Sequence, residues 1–409
     1  MANSFITNND IAEHMLAHFI NSCQFVRLAN RYYQDEFRSV NGFERGNTIR
    51  ILRPTYFVPR QGVTMSISDV QERETYLSLD YQDGQDIALT SLQMTTSIDD
   101  LSQRILRPIA IGLANLVDVR IATECNLRVY NKFGTSGAAL NSFASFNNMK
   151  NQLFKRGVVG DYEAILNPND ATLLQNSLQN AFNTTLNEEI SIFGRIGELS
   201  NVGVYQGQNV QSFTNNTAGG TPLVNGANQT GSVLVTDGWT PGTTLNQGMV
   251  IYISNGTRVA SVNPVSRISL GGATDDLQRF VVTETVTDDG AGNIDIPIDP
   301  PITLTGPYQT VTASPDNNAA ITIVGGSATT YYNNYMFTKE ALSVAVVPLI
   351  TPPGAVNAVV MTDPDTGISM RVIDAYDVVN DRAIKRVDLL YGIQIFPQYA
   401  VGYISSGTA

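Results

Sequence analysis

Lysine is nearly missing from this chain. Of its 409 residues, 25 are Lys or Arg, only five of these are lysine, and the first is Lys132. Charged residues make up 15%, against about 25% in ordinary soluble domains. With 37 acidic residues the formal net charge is −12. A protein that grips duplex DNA clusters Lys and Arg against the phosphates. No such cluster occurs, which excludes sequence-specific nucleic-acid recognition. Histidine is scarcer still, at two residues, His14 and His18. A Ser-His-Asp or Cys-His catalyst would have to be built around this one segment. The run Glu13-His14-Met15-Leu16-Ala17-His18 is not H-E-x-x-H, and no third histidine completes a typical zinc set. Cys23 and Cys125, in helical surroundings, read as buried thiols rather than a disulfide, which fits a reducing compartment. Long apolar runs are absent too. The most apolar stretch, Ile105 to Leu127, holds Arg107, Asp118, Arg120 and Glu124, which argues against a membrane span. Met1 to Phe5 shows no basic segment leading into an apolar core, so no secretory leader is expected.

The usual catalytic signatures are missing as well. There is no G-x-S-x-G, no G-x-x-x-x-G-K-[ST] and no strand-linked G-x-G-x-x-G. Gly134-Thr135-Ser136-Gly137 follows a helical pattern and reads as a helix-terminating loop. The oxygen-rich run Asp288 to Asp295 lacks EF-hand spacing and reads as a hairpin turn. Asp363-Pro364-Asp365-Thr366-Gly367 is likewise a turn. The pairs Asp99-Asp100 and Glu188-Glu189 read as helix-start capping and a solvated loop. No enzyme activity, cofactor or metal is expected.

What the chain does have is a hydrophobic fraction of 43%, enough for large cores, and a distinct order of patterns. Asn9 to Tyr32 has helical spacing through Ile11, Met15, Phe19 and Cys23, with Asn9 or Asp10 as N-cap. Gly46 to Leu52 reads as a strand leading to Pro54, Pro59 and Gly62. Extended runs follow at Glu74 to Tyr81 and, after Asp83-Gly84, at Asp86 to Thr90. Two extended arms around an irregular tip describe a protruding β-loop whose alternating face needs a partner. Ser102 to Asn131 carries apolar residues three or four apart and would span about 45 Å as one unbroken helix. A helix is expected at Ala144 to Arg156, a strand at Tyr162 to Leu166, and a helix at Ala171 to Phe182 capped by Asp170. This is α+β texture.

Composition changes near Asn215. From Thr217 to Ala328 the pattern is short β runs: Ser232–Val235, Met249–Ile253, Thr257–Val262, Phe280–Val286 and Ala320–Val324. Asn255-Gly256, Gly271-Gly272, Asp289-Gly290 and Pro315-Asp316 supply turns. A small barrel or sandwich is expected. It holds three basic and nine acidic residues, half the chain's net charge. Beyond it the α+β texture returns, with a turn or short helix at Thr338 to Leu342 and strands at Ser343–Val347, Ser369–Tyr376, Ala383–Tyr391, Tyr391–Phe396 and Ala400–Ile404. The barrel is therefore read as an insertion into a parent domain.

This order resembles the major capsid protein of tailed phages with the HK97 fold, and more narrowly the coat proteins of short-tailed enterobacterial phages that carry an inserted β-barrel. The local likenesses are Asp99-Asp100-Leu101 leading into Leu113-Ala114-Asn115-Leu116-Val117, then Ile192-Phe193-Gly194-Arg195-Ile196, and the ending Leu389-Leu390-Tyr391-Gly392-Ile393. In the insertion they are Gly248 to Ile253 and Arg279 to Val282. The resemblance implies an N-terminal arm (1–45), an extended E-loop with flanking strands (46–95), and a spine helix with the peripheral domain (96–195). It implies an axial domain in two parts (196–216 and 329–366) around the inserted barrel (217–328), with returning strands at 367–409.

The resemblance further implies pentamers and hexamers closing into an icosahedral virion shell assembled in the host cytoplasm. The implied partners are a scaffolding protein, a portal protein at one vertex and packaged double-stranded DNA bound without sequence preference, with no membrane. Inter-subunit contacts are expected from Arg53, Tyr56, Phe57, Arg60 and Arg73 of the β-loop and from Phe19 and Arg27 of the arm. Some relatives cross-link through a β-loop lysine; with no lysine before Lys132, that bond is not expected here. The alternative is a host-encoded nanocompartment shell of the same fold, although such shells usually lack a large inserted barrel.

Overall fold

The computed structural model describes residues 8–37, 47–60, 62–65, 67, 69–90, 106–177, 195–254, 259–271, 273–351, 357–363 and 367–406. The chain divides into two compact units, one from 1–51, 75–121 and 342–394, the other from 52–74, 122–341 and 395–409.

The first unit holds the arm and a five-stranded sheet. Helix α1 (Asn8–Ser22) buries Ala12, Met15, Leu16 and Phe19 on one face, the three-and-four spacing of an amphipathic helix. It packs on the strands Asn357–Thr362 and Ser369–Asp377. The expected continuous helix to Tyr32 is interrupted. A separate turn, α2 (Phe25–Leu28), starts after Cys23, because the buried Asp118 carboxylate accepts the backbone N–H of Gln24 (2.7 Å) and of Phe25 (3.1 Å). In the sheet, Leu342–Val347, Arg382–Ile395, Ser369–Asp377 and Asn357–Thr362 lie side by side, and Tyr81–Thr90 pairs with Arg382–Ile395 from Tyr81–Tyr391 to Thr90–Arg382.

That last ladder corrects two expectations. The run 74–81 is divided between the strands Arg73–Ser78 and Tyr81–Thr90, and the strand expected from Asp86 begins at Tyr81, so that Asp83-Gly84 lies inside it. Gly84 is required there by close approach, since a Cβ built on it would lie 2.4 Å from the Val387 carbonyl oxygen. Asp83 is held by Arg120 at 2.9 Å and by the Tyr391 hydroxyl at 2.5 Å. The long helix α3 (Arg107–Arg128) has 22 residues, about 33 Å at 1.5 Å per residue, shorter than the expected 102–131. Residues 102–105, and the expected capping pair Asp99-Asp100, lie outside the described residues.

The second unit contains a seven-stranded mixed sheet. Its order is Lys132–Gly134, Ala400–Ser405, Thr330–Thr338, Tyr162–Leu166, Val202–Gln206 and Arg195–Glu198, with Ser212–Thr214 also on Thr330–Thr338. Helix α4 (Phe143–Lys155), N-capped by Ser142, packs on this sheet, and α5 (Pro168–Ser177) packs on the strand Val202–Gln206. Phe133, Phe146, Met149, Leu153, Leu166, Val204 and Met336 share the core. Asp170 does not cap α5. Pro168 begins the helix and Asn167 Oδ1 accepts the Asn169 N–H. Asp170 is instead fully buried, accepting from Leu140 N–H, Asn334 and Ser405. Residues 178–182 lie outside the described residues.

The all-β segment forms a six-stranded sheet in the order Ile321–Ile323, Val250–Ile253, Arg279–Val282, Ile294–Ile302, Gly231–Trp239 and Gly220–Val224. Its two edges meet where Leu223 bridges Ala320 and the Val224 N–H bonds the Ala319 carbonyl at 2.9 Å, so the barrel is nearly closed. Its buried core is drawn wholly from Val224 to Ile321. The expected 280–286 strand divides into Arg279–Val282 and Val286–Thr287, and 259–262 contributes only isolated bridges. Within the acidic run 288–295, residues 288–293 form a turn in which Asp288 and Asp289 carboxylates accept the N–H groups of Gly290, Ala291, Gly292 and Asn293, and Ile294 and Asp295 already belong to the strand Ile294–Ile302.

Candidate functional site

The strands Thr48–Arg53 and Arg73–Ser78 pair with each other and bury alternate residues, Ile49 and Ile51 on one and Thr75 and Leu77 on the other. Arg53 and Arg73 therefore stand at the neck of the 54–72 loop, each at the end of a paired strand. Both contribute to the second unit. The Arg73 guanidinium lies 4.3 Å from the centre of the Tyr308 ring, and that of Arg53 lies 5.8 Å from the Phe396 ring, cation–π distances. Tyr56 meets Tyr308 edge to face at 5.8 Å, and the Tyr308 hydroxyl donates to the Gln71 carbonyl.

These residues line a cavity of about 320 Å³ together with Glu74, Tyr130, Arg156 and Asp299. Burial raises the Asp299 carboxyl above its ordinary range, opposed by the nearby Arg53 and Arg73. Burial lowers the Arg53 guanidinium, opposed by Asp299. Burial also brings Arg156 down to about 10, with the neighbouring charge of Arg279 adding to the effect. Tyr56 is pushed up to about 12, chiefly by burial, so it stays a neutral hydroxyl.

Three of the seven expected contact residues, Arg53, Tyr56 and Arg73, thus share one cleft. Arg60 and Phe57 lie further along the loop. Arg60 donates to the carbonyls of Gly62 (2.7 Å) and Thr64 (2.8 Å), which curls the tip on itself. Phe57 is 52% exposed, and Val58, Val63, Met65, Ile67 and Val70 are exposed beside it in sequence. Arg27 is exposed on α2, in the other unit. Phe19 needs correcting: it is 1% exposed and belongs to the core of its own unit. Its helical spacing reports burial within the chain, and its side chain offers no surface to a neighbour.

Sequence reading missed the cleft's other wall, Asp299, Tyr308 and Arg156, which no local pattern joins to the loop. It also missed Lys132. That side chain is fully buried, its ammonium donates to the carbonyls of Asn126 (2.6 Å) and Gly248 (3.3 Å), and burial brings it down to about 7. Among the described residues, no group of three or more His, Cys, Asp and Glu is placed to hold a metal, and no helix is long and apolar enough to cross a membrane.

An α+β body, a nearly closed barrel and a projecting loop rich in exposed apolar side chains define a structural protein built around its surfaces. The sequence model of the P22 coat protein family (P22 coat protein - gene protein 5) matches residues 85–407. The chain belongs to that family. It is a tailed-phage major capsid protein, a structural component of the virion shell. No curated protein matches the chain. Among solved structures it is similar to the capsid of Ralstonia phage GP4 at 8% identity, covering 93% of this chain and 87% of that one with a TM-score of 0.47. It is also similar to a structure from Mycobacterium phage Che8 at 13% identity, covering 93% and 90% with a TM-score of 0.43. A third is the head structure of Helicobacter pylori bacteriophage KHP40, at 12% identity, 99% and 92% coverage and a TM-score of 0.40.

Proposed function

We propose that many copies of this chain associate as pentamers and hexamers and close into an icosahedral shell around double-stranded DNA. The shell is first built on a scaffolding protein, with a portal at one vertex, inside the host cytoplasm, and then expands. The observation that carries this reading is membership of the coat protein family together with the loop 54–72, whose Phe57, Val58, Val63, Met65, Ile67 and Val70 are exposed among the described residues. Apolar side chains presented together in this way mark an interaction surface. Many modest contacts, repeated with each neighbour, suffice for a shell.

In this reading 1–45 is the arm, 46–95 the E-loop region, 96–195 the spine and peripheral domain, 217–328 the inserted barrel, 196–216 and 329–366 the axial domain, and 367–409 the returning strands. Phe57, Arg60 and Arg27 face neighbouring copies, while Arg53, Tyr56 and Arg73, expected to do the same, hold the neck of the loop against Tyr308 and Phe396. A charge of −12 and the lack of basic clusters let DNA be enclosed without being gripped. The wall is non-covalent through the loop, because 48–78 contains no lysine to cross-link.

Denaturing electrophoresis of expanded shells tests that last point. A single band near 44.4 kDa is expected, and a ladder of covalent multimers running through this loop would contradict it.

A further inference from the structure

The cleft at the neck of the loop has a chemistry that shell contacts do not require. Three arginines, Arg53, Arg73 and Arg156, line it against two carboxylates, Glu74 and Asp299, so it carries an excess of positive charge inside a chain that is negative overall. Arg156 is only 7% exposed. Its Nη1 is committed to the Gln152 carbonyl and side-chain oxygen, while its Nε has no hydrogen-bond partner among the described residues. A buried guanidinium left partly unsatisfied is costly unless something fills the gap. Tyr56, Tyr130 and Tyr308 wall the same space, limiting water around whatever enters. The cavity, at about 320 Å³, easily admits a tetrahedral oxyanion. Arginine forks match the oxygen geometry of such anions.

We propose that this cleft is an oxyanion site that takes a phosphate group through Arg73 and Arg156, with Asp299 as the resident acid beside Arg53 and Arg73. The phosphate is either a free ion or one unit of a nucleic-acid backbone. A single such contact carries no base-sequence information, so it is compatible with a shell that encloses DNA without reading it. Asp299 makes the site self-limiting, since its carboxylate offsets the field of Arg53 and Arg73 whenever no phosphate is bound.

The test is calorimetric titration of the full-length chain with sodium phosphate, against sodium chloride at matched ionic strength, and in a second arm with a short single-stranded oligodeoxynucleotide. Thermal unfolding with and without phosphate is the parallel readout, since a ligand of the folded state raises the midpoint. Saturable one-site binding is expected, weakened roughly tenfold or more by Arg73→Gln, the loss of a charge-assisted hydrogen bond. Arg73 is only partly buried, so this variant keeps the core. Asp299→Asn removes the resident carboxylate and is expected to tighten binding several-fold. A phosphate response with these two opposite effects identifies the free ion as ligand, and the same pattern with the oligonucleotide alone identifies the backbone. Phosphate and oligonucleotide that both behave like chloride, or binding that neither substitution alters, would overturn the proposal.

Discussion

Asp118, in the middle of the long helix α3, accepts the backbone N–H of Phe25, 93 positions earlier in the chain, at 3.1 Å while also accepting that of Gln24 at 2.7 Å. One buried carboxylate thereby caps the start of α2 from another helix, doing for Gln24 and Phe25 what an N-cap side chain ordinarily does locally. Both partners are interior, since Asp118 and Phe25 are each 0% exposed. The negative charge beside Cys23, added to the burial of its thiol, raises that thiol well above its ordinary range. Cys23 therefore stays protonated and unreactive at neutral pH.

Replacing Asp118 with Ala leaves two backbone donors without their acceptor, that of Phe25 buried and that of Gln24 partly buried. A loss of about 2–4 kcal/mol is expected, read as a lower urea midpoint. The segment 23–30 should become cleavable by protease before the rest of the unit unfolds. Unchanged stability in Asp118→Ala would show that the cap contributes nothing.

Lys132 sets a pH dependence. Its ammonium is lowered by burial from the ordinary 10.5 to about 7. Between those values the unfolded chain holds a proton that the folded chain lacks, so this group makes stability rise with pH from about 7 to 10.5, at about 1.4 kcal/mol per pH unit. Below pH 7 both states are protonated and the cost of burying the charge is felt in full. Lys132→Met should be the more stable protein at pH 6, and its advantage should shrink steadily toward pH 10. Parallel stability curves for the two proteins from pH 6 to 10 would contradict this.

Arg371 and Asp388 face each other across adjacent strands and form an ion pair with side chains only 9% and 3% exposed, with Arg386 on the same carboxylate at 2.9 Å. Arg371→Met leaves the buried Asp388 carboxylate with Arg386 as its remaining cation and should cost about 1–3 kcal/mol, whereas Arg371→Met with Asp388→Leu should recover part of that. A double-mutant cycle in urea measures it, and additive losses would rule out the coupling.

Much of the first unit was legible because local periodicity matches its burial: α1, the interior of α3 and the alternating strands at 369–377 and 382–395; in the second unit the same holds for α4. What escaped was non-local. Nothing near Asp118 announces that it caps α2, and nothing around Arg73 points to Tyr308 or Asp299. The strand Ile294–Ile302 was also missed, because Pro297, Pro300 and Pro301 argue against a central strand. It tolerates them because its ladders are divided: the 294–297 half pairs with Gly231–Trp239, and Ile298 and Asp299 pair with Val282 and Val281. Beyond Asp299 only Ile302 rejoins a partner, Gly231, across a bulge. In the candidate site, the resemblance implied contacts to neighbouring copies for the loop arginines, but the gathering of Arg53 and Arg73 into one cleft was not readable.

The only tryptophan, Trp239, is 4% exposed in the barrel core and donates to Thr236 Oγ1 at 2.8 Å. Since every buried residue of that core lies within 224–321, with Phe213 the one packing residue outside the insertion, the fragment 217–328 should fold alone, with a strand-type circular dichroism spectrum and tryptophan emission at the short wavelength of a buried indole. A random-coil spectrum would mean that the barrel depends on the remainder of the chain.

The central claim is that this chain builds a closed shell, and negative-stain electron microscopy of the purified protein, alone and with a co-expressed scaffolding partner, tests it most directly. Closed polyhedra of uniform size, lost when Phe57, Val58 and Val63 are replaced together by Asp, are the expected result. Dispersed monomers under every condition, or particles indifferent to that triple change, would contradict the account.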